Sequence, residues 1–392
     1  MSESVVIVAA KRTPIGSMSG QLLPLSSPQL ASVAIKAAFE QSGLKAEDIT
    51  EALIGCVLPA ALGQAPARQA VLGAGLLKTT ACTTVNKVCG SGMKTVMLGF
   101  DAIMAGSANV VLAGGMESMS NAPYLLPKAR QGFRYGHVKA LDHMAFDGLE
   151  NAYDGKSMGI FADATAAKYG FTRADQDAFA AESVKRAQAA VGSGAFKAEI
   201  AGVTVKGKAG DVVLDTDEPP GQCRPDKIPA LKPAFNKDGT VTAASSSSIS
   251  DGAAALILMK ESEAKAKGLK PLARIVGHAS NAHEPEWFTT APVGAIDKLH
   301  KKLGWSPENV DLYEINEAFA VVTMAAMKDL NLPHAKVNVN GGACALGHPI
   351  GASGARLIVT LLHALKARGG KRGIASLCIG GGEATAIAVE LI

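Results

Sequence analysis

Three side chains of the sequence combine chemical reactivity with neighbouring glycines, and the first is Cys89 in NKVCGSG. The apolar run from Met93 to Met104 that follows it predicts a helix. A cysteine at a helix N-terminus lies beside free backbone N–H groups and the positive end of the helix dipole, and both lower the pKa of a thiol. We therefore expect Cys89 to be a nucleophile. The alternative is a small buried apolar residue, as most free cysteines are.

The other two reactive side chains are His348, in GHPIGASG, and Cys378, in CIGGG. A histidine in a glycine-rich turn can approach another strand end closely and act as a base towards a cysteine, or it can be a hydrogen-bonded loop residue. The glycines after Cys378 indicate backbone N–H groups that could stabilise an oxyanion. Taken alone, Cys378 is more typical of a structural residue.

The elements that must position these groups alternate between strands and helices. Val5 to Ala9 is a short apolar run, Leu30 to Gln41 has helical spacing with Gly43 as its stop, and Ile49 to Leu58 is a second apolar run. Such alternation predicts a mostly parallel sheet covered by helices. The ends of strands in such a sheet are the usual place for ligands and catalysis.

The chain also repeats itself. Residues 42–55 (SGLKAEDITEALIG) have a counterpart 261 residues later in LGWSPENVDLYEIN, 303–316. The pair Ser91-Gly92, followed by an apolar helix and a strand, has its counterpart 262 residues later in Ser353-Gly354. Two matches at nearly one offset predict two similar α/β halves. Residues 119–249 lack the alternation and are interpreted as an insertion.

Together, NKVCGSG, NEAF at 316–319, GHPIGASG at 347–354 and CIGGG at 378–382 resemble the thiolase family, and within it the biosynthetic acetyl-CoA C-acetyltransferases. The resemblance runs essentially from Val5 to Ile392. It implies an α/β thiolase fold with two βαβαβαββ halves in α/β/α/β/α layers and an inserted loop domain. The implied division is 1–118 with 250–270 for the N-terminal half, 119–249 for the insertion and 271–392 for the C-terminal half.

The resemblance also implies roles for matching residues. Cys89 matches the nucleophile that carries the acyl group, His348 the base that activates it, and Cys378 the acid/base at the α-carbon of the second acetyl-CoA. Asn316 matches the residue whose bound water forms one oxyanion hole with His348. The backbone N–H groups of Cys89 and Gly380 match the groups that form the second oxyanion hole. A Claisen condensation needs such groups, because a thiolate is both a good acyl acceptor and a good leaving group.

Substrate contacts follow from the same resemblance. The positions that match the coenzyme A and acyl channel are Ser247, Ala243, Met158, Ala318, Phe319, Phe288 and Arg224. The chain departs from the family pattern in ASSS at 244–247, where GNAS is common, and in Ser157-Met158-Gly159, where HMG is common. The alignment of PPGQCR with the arginine that binds the nucleotide end is poor, which leaves the role of Arg224 open.

Phe288 falls where biosynthetic thiolases often have a methionine. A phenyl ring is rigid and keeps its volume, whereas a methionine bends around a substrate. With Met158 on the opposite wall, we expect room for an acetyl group, with at most one α-methyl branch, and not for a long chain. The alternative is that Phe288 packs in the core and never meets the substrate.

Composition restricts the partners. The 39 Lys and Arg against 35 Asp and Glu give a net charge of +4 with no basic block, and aromatics are only 5%, which argues against nucleic-acid binding. No membrane span and no secretory signal are expected, so we predict a cytoplasmic protein with reduced thiols. The expected partners are acetyl-CoA, acetoacetyl-CoA and coenzyme A, with no metal and no permanently bound cofactor. The resemblance implies a homotetramer bridged by part of 119–145.

Several other functions remain possible at this point. A degradative 3-ketoacyl-CoA thiolase acting on longer chains shares every catalytic residue. A carrier-protein-dependent condensing enzyme replaces the second cysteine by His or Asn, so Cys378 argues against it. A nucleotide-binding Rossmann protein or a scaffold is disfavoured, because no G-x-G-x-x-G follows the first strand and no G-x-x-x-x-G-K-[ST] occurs.

Overall fold

The computed structural model describes residues 3–207 and 210–392. The chain begins with alternating strands and helices. These are β1 (Val5–Arg12), β2 (Gly16–Ser17), α1 (Ser27–Ser42), β3 (Glu51–Gly55), α2 (Pro66–Gly73), β4 (Ala81–Val85), α3 (Ser91–Ala105) and β5 (Val110–Ser118). Gly43 ends α1 with φ of 70°, a left-handed conformation that glycine adopts without steric cost.

The segment after β5 contains small paired strands and two longer helices. These are β6 (Tyr124–Leu125), β7 (Leu141–Asp142), α4 (Met158–Tyr169), α5 (Arg173–Ser193), β8 (Val203–Gly207), β9 (Gly210–Leu214) and α6 (Pro219–Gln222). β6 pairs only with β7 and β8 only with β9 among the described strands. Buried Arg12 of β1 holds this segment in place through Glu199, at 2.6 Å, and Asp217, at 2.7 Å.

The chain then returns to the main sheet. The remaining elements are β10 (Ser250–Lys260), α7 (Glu261–Ala266), β11 (Ala273–Ala282), α8 (Ala291–Leu303), β12 (Leu312–Ile315), α9 (Ala320–Asp329), α10 (Ala343–Leu346), α11 (Ile350–Arg368), β13 (Arg372–Ile379) and β14 (Glu383–Leu391). Short 3₁₀ helices occupy Ala46–Asp48, Met119–Asn121, Ala129–Gln131, Pro225–Ala230, Pro285–Thr290 and His334–Lys336, and a π-helical turn occupies Ala145–Leu149.

The main sheet has the order β12-β13-β14-β11-β1-β10-β5-β3-β4, with β2 beside β10. The prediction of a mostly parallel sheet is wrong. Only the pairs β12 with β13, β3 with β4 and β3 with β5 are parallel, and the other neighbours are antiparallel. The reason is that the chain enters β14 through a tight turn and β10 after the long insertion, so neither strand follows a helical crossover.

The two halves have the same topology. In the N-terminal half the strands run β4-β3-β5-β10-β1, and in the C-terminal half β12-β13-β14-β11 follow the same pattern of directions. The missing edge strand is reduced to one parallel bridge between Val337 and Tyr313. This equivalence accounts for the sequence repeat, and the two similar α/β halves expected from the sequence are present. The division at residues 118, 249 and 270 stays a prediction.

Helices α3 and α11 form the layer between the two halves. Their apolar side chains share one core with strands of both halves, for example Met93 and Val96 of α3 with Leu357 and Leu361 of α11. Separate cores lie outside this layer: α1 and α2 cover the N-terminal strands, and α8 and α9 cover the C-terminal strands. Each half therefore has a helix layer on its outer face and shares the central one.

Helix α11 is long and apolar enough to cross a bilayer by length and composition. The sequence analysis expected no membrane-spanning segment, because Arg356 and the basic residues at the end of α11 interrupt its apolar stretch. In the fold, 83% of its most apolar window is buried. A core helix of a folded domain passes the same test, and the position of α11 between the two halves is that of a core helix.

The N-terminal turns of α3 and α11 touch at two glycines, Gly92 and Gly354. A Cβ added at Gly92 would lie 2.9 Å from the backbone oxygen of Gly351, and one added at Gly354 would overlap the backbone nitrogen of Met93. These are the two glycines of the repeated Ser-Gly pairs. The two halves meet here at backbone-to-backbone distance, which no other residue type allows.

We expect Gly354→Ala to destabilise the protein by about 1–3 kcal/mol or more, because the added methyl overlaps fixed backbone and forces the helices apart. The shift of the urea unfolding midpoint measures it. Gly192→Ala is the matched control: it lies in α5 with open space around its Cβ, so it should leave the midpoint unchanged or raise it slightly. Equal midpoints for the two variants would contradict the close contact.

Candidate active site

A pocket of about 210 Å³ opens where the strand ends of both halves meet the inserted segment. Nine of the twelve predicted site residues line it: Cys89, Met158, Ser247, Phe288, Ala318, Phe319, His348, Cys378 and Gly380. The structure thus brings both cysteines and the histidine together, although they are far apart in the sequence. Asn316, Ala243 and Arg224 lie elsewhere and are described below.

Cys89 stands on a tight turn between β4 and α3. Val88, just before it, has φ of 45°, a left-handed conformation that costs a β-branched residue about 1–3 kcal/mol. Neighbouring side chains hold the turn: Asn86 Oδ1 accepts from Val88 N at 2.9 Å, and Ser91 Oγ donates to the Val88 carbonyl at 2.6 Å. This strained turn points the nucleophile candidate towards the pocket rather than along the helix.

The pKa of Cys89 is raised to about 11, mainly because the half-buried thiol is desolvated inside the pocket. Hydrogen bonds from the backbone N–H groups of Gly380 and of Cys89 itself act in the opposite direction, and the charge of Glu117 raises the pKa further. The expectation of a lowered pKa is therefore wrong for the unliganded protein. The helix-start donors are present, but desolvation outweighs them. Cys89 is a thiol until a base removes its proton.

His348 is buried and its ring is oriented by Ser353. The Ser353 hydroxyl donates to the Pro349 carbonyl at 2.9 Å, so its oxygen can only accept from His348 Nδ1, which lies 2.6 Å away. This assigns the proton to Nδ1 and leaves the lone pair on Nε2, which has no partner among the described residues. Burial, and secondarily the charge of Arg356, lowers the pKa of His348 to about 3. The imidazole is thus neutral and can accept a proton.

Cys378 is the last residue but one of β13 and is 1% exposed. Burial raises its pKa well above the ordinary range, and the charge of Cys89 raises it further. The two sulfur atoms therefore influence each other's ionisation within one pocket. Because both pKa values lie above neutral pH, both cysteines are neutral thiols.

Asn316 follows β12 and is fully buried beside the pocket rather than in its wall. Neither its amide nitrogen nor its amide oxygen has a hydrogen-bond partner among the described residues. Buried amides are almost always satisfied, so a pair of free polar atoms indicates a place for water or ligand atoms. The neighbouring Glu317, in contrast, accepts hydrogen bonds from Ser183 and Asn338.

Sequence reasoning missed Glu117, which lies at the end of β5. Its carboxylate accepts hydrogen bonds from the backbone N–H groups of Val57, at 3.0 Å, and Leu58, at 3.2 Å, in the N-terminal half, and of Gly351, at 2.9 Å, in the first turn of α11. Burial raises its pKa to about 7 against these donors. One carboxylate thus joins the loop beside Cys89 to the loop of His348. Its place after two glycines at a strand end, GGMES, was the available signal.

The walls of the pocket are mostly apolar, and aromatic rings form much of them. Phe319 makes edge-to-face contacts with Phe235, at 5.7 Å between centroids, and with Phe288, at 6.3 Å. Phe288 is 3% exposed and borders the pocket with Met158. Phe235 was missed because the inserted segment around it has no periodic pattern. Gly159 gives it space, since a Cβ there would overlap the ring.

Ala243 and Arg224 line a second depression, of about 600 Å³, which shares Ser248 and Ile249 with the first. Both residues are exposed, and Lys227 adds a second positive charge. The structure does not bring these two residues to the catalytic pocket. It places them along a route from that pocket to the surface.

The comparisons with known proteins agree with this arrangement and confirm the thiolase fold expected from the sequence. Two family models match: "Thiolase, N-terminal domain" over residues 5–262 and "Thiolase, C-terminal domain" over 269–391. The chain is 51% identical to an acetyl-CoA acetyltransferase of Chromobacterium violaceum, covering 98% of this chain and 99% of the relative. It is 48% identical to that of Schizosaccharomyces pombe, with 100% of both covered. The crystal structure of the Acat5 thiolase of Ascaris suum in complex with coenzyme A matches with a TM-score of 0.94 and 44% identity, covering 99% and 100% of the two chains.

The assigned proton on His348 leads to a prediction. In Ser353→Ala the imidazole loses the acceptor that holds its proton on Nδ1, so Nε2 is a free base for only part of the time. We expect alkylation of Cys89 by iodoacetamide near pH 7 to slow about 10-fold, because a positioned base is worth about 10²–10⁴-fold in full. Peptide mass spectrometry measures the rate. Ser193→Ala, which removes a hydroxyl on α5, should alkylate like the unmodified protein, and the same rate in Ser353→Ala would refute the assignment.

Proposed function

The chain belongs to the thiolase family, and we propose that its pocket carries out the reversible Claisen condensation of two acetyl-CoA to acetoacetyl-CoA and coenzyme A. The protein is an acyltransferase that uses coenzyme A thioesters as substrates and no permanently bound cofactor. One observation supports the proposal most: two thiols and one neutral imidazole border the same apolar pocket, and the backbone N–H groups of Cys89 and Gly380 lower the pKa of the Cys89 thiol. This set suffices for acyl transfer followed by carbon–carbon bond formation.

In the first half-reaction His348 Nε2 takes the proton of Cys89 while the sulfur attacks the carbonyl carbon of acetyl-CoA. The oxyanion that forms is stabilised by the N–H groups of Cys89 and Gly380. The intermediate collapses, the bond to the sulfur of coenzyme A breaks, and the departing thiolate takes the proton from His348. Because the resting pair is neutral, the proton moves only as the sulfur attacks, which is general base catalysis.

In the second half-reaction Cys378 passes its proton to His348 Nε2, and the resulting thiolate removes a proton from the methyl group of a second acetyl-CoA. A water held by Asn316 and His348 stabilises the enolate oxygen, and the free amide atoms of Asn316 support this role. The enolate carbon then attacks the acetyl group on Cys89, whose carbon–sulfur bond breaks. The released Cys89 thiolate takes the proton held by His348, which leaves both cysteines as thiols and the imidazole neutral again. Once Cys89 is acetylated, its sulfur can no longer ionise, and this removes one cause of the raised pKa of Cys378. The first step thus prepares the base for the second.

We assign the two joined cavities to the two ends of coenzyme A. The thiol end of the pantetheine arm would lie along Ser247, Ala318, Phe319 and Met158 in the catalytic pocket. The phosphate end would lie past Ala243, near Arg224, whose charge with that of Lys227 suits an anionic group. The apolar walls and small volume favour acetyl over long acyl chains, so the degradative alternative gains no support.

We further propose a homotetramer in the cytoplasm. The segment 119–145 exposes large apolar side chains, with Tyr124 71% exposed and Phe133 46% exposed. Exposed aromatic groups on one segment are typical of a surface that another subunit covers. Light scattering of the purified protein measures the mass in solution. The compartment stays a prediction from the sequence.

The variant Cys378→Ser should distinguish the roles of the two thiols. This variant should still acquire one acetyl group on Cys89 when it is mixed with acetyl-CoA and quenched in acid, because the first half-reaction does not use Cys378. Condensation should fall by at least about 10²-fold, since a serine is a far weaker base at the same place. Peptide mass spectrometry and a coupled assay measure the two steps. Acetyl on Cys378 in the unmodified enzyme, or full condensation by the variant, would overturn the assignment.

Acyl length should depend on Phe288. The unmodified protein should cleave acetoacetyl-CoA well and ketoacyl-CoA of six or more carbons poorly. Phe288→Ala should narrow the difference, because each methylene admitted to an apolar pocket is worth roughly 1 kcal/mol. Steady-state thiolysis across chain lengths measures this. Phe179→Ala, in a separate apolar cluster, is the control for a general loss of packing. Efficient thiolysis of 3-ketooctanoyl-CoA by the unmodified protein would favour the degradative alternative.

A further inference from the structure

One ion pair joins the two turns that carry the catalytic groups. Lys87, two residues before Cys89, contacts Glu383, the first residue of β14, through Nζ and Oε2. Glu383 directly follows the glycines Gly380 to Gly382. Of the ion pairs between described residues, this is the one that connects the Cys89 turn with the glycine turn after Cys378.

The inner sides of the same two turns are also in contact. Gly90 packs so closely on Ile379 that an added Cβ would overlap the Ile379 side chain. Gly380 borders the same pocket as Cys89, and its N–H group lowers the pKa of the Cys89 thiol. On its other side the glycine turn is held by His283, whose N–H donates to the Gly382 carbonyl at 2.9 Å. The glycine turn is therefore fixed on both sides, and the Lys87–Glu383 pair is its polar attachment to the N-terminal half.

We propose that Lys87 and Glu383 are positioning residues for acyl transfer, an inference that rests on the function proposed above. The proposed oxyanion hole takes one N–H from each half, from Cys89 and from Gly380. Its geometry therefore depends on how firmly the two turns are held together. Neither Lys87 nor Glu383 lines the pocket, so both act on the reaction through the backbone.

The size of the expected effect separates this role from a merely structural one. The side chains are 24% and 38% exposed, and ion pairs of that kind contribute about 0–1 kcal/mol to stability. A displaced oxyanion donor, in contrast, costs about 10²–10³-fold in rate when lost fully. Breaking the pair should thus leave the protein folded while it slows acylation.

The experiment uses the full chain with Lys87→Met, Glu383→Gln and the exchanged pair Lys87→Glu with Glu383→Lys. We expect each single variant to lower the maximal rate of Cys89 acetylation about 10-fold, with KM for acetyl-CoA within about twofold and the melting temperature nearly unchanged. The exchanged pair should recover most of the rate. The control is Glu261→Gln, which breaks the ion pair between Glu261 and Arg274. The side chains of this pair have similar exposure, 32% and 38%, and Arg274 lies at the start of β11, far from the glycine turn that contacts the residue after its end.

Three results would overturn the proposal. One is single variants within twofold of the unmodified rate, and another is an exchanged pair no faster than the singles. The third is a raised KM for acetyl-CoA in Lys87→Met but not in Glu383→Gln. That result would indicate that Lys87 contacts the anionic coenzyme A directly. A salt series gives a check that needs no variant: about 1 M KCl should slow saturated acetylation by screening the pair, and an unchanged rate counts against it. Failure of the unmodified protein to acetylate Cys89 would instead contradict the proposed function.

Discussion

The backbone contact between the first turns of α3 and α11 is the constraint on which the rest of the structure depends. Gly92 and Gly354 let the two helices approach until only backbone separates them. Because one helix follows Cys89 and the other follows His348, this contact sets the distance between the two halves of the catalytic apparatus. Glu117 stabilises this distance further, because its carboxylate accepts hydrogen bonds from the backbone N–H groups of Val57 in one half and of Gly351 in the other. A fold with larger residues at these glycines would separate the thiol from its base.

Burial decides the protonation states in the pocket. Desolvation holds the pKa of Cys89 at about 11 and that of His348 at about 3, so the resting site carries a thiol and a neutral imidazole rather than an ion pair. The two catalytic side chains are therefore uncharged before the substrate binds. Its fixed N–H donors instead stabilise charge only when it develops on the reacting carbonyl, which is the condition for lowering the barrier rather than binding the ground state.

The sequence singled out the candidate reactive residues because their glycine-rich surroundings are local and because the four motifs together resemble the thiolase family. Cys89 and His348 each precede a helix by a few residues, Cys378 lies near the end of a strand, and all three line one pocket. What could not be predicted depends on long-range contacts. The direction of β10 was hidden by the insertion, and Phe235 enters the pocket from a segment without periodicity. The raised pKa of Cys89 depends on its desolvation in the folded pocket and on the charge of Glu117. Glu117 was visible as a residue but not as a link between two loops.

The central claim is that the Cys89 turn and the glycine turn after Cys378 form one oxyanion hole across the two halves. The most direct test is a crystal structure of the enzyme cooled rapidly after a brief soak in acetyl-CoA. The account predicts an acetyl thioester on Cys89, with its carbonyl oxygen within hydrogen-bond distance of the backbone nitrogens of both Cys89 and Gly380 and the Cys378 sulfur facing the open side of the pocket. An acetyl oxygen bound to neither nitrogen, or to donors of one half only, would contradict it.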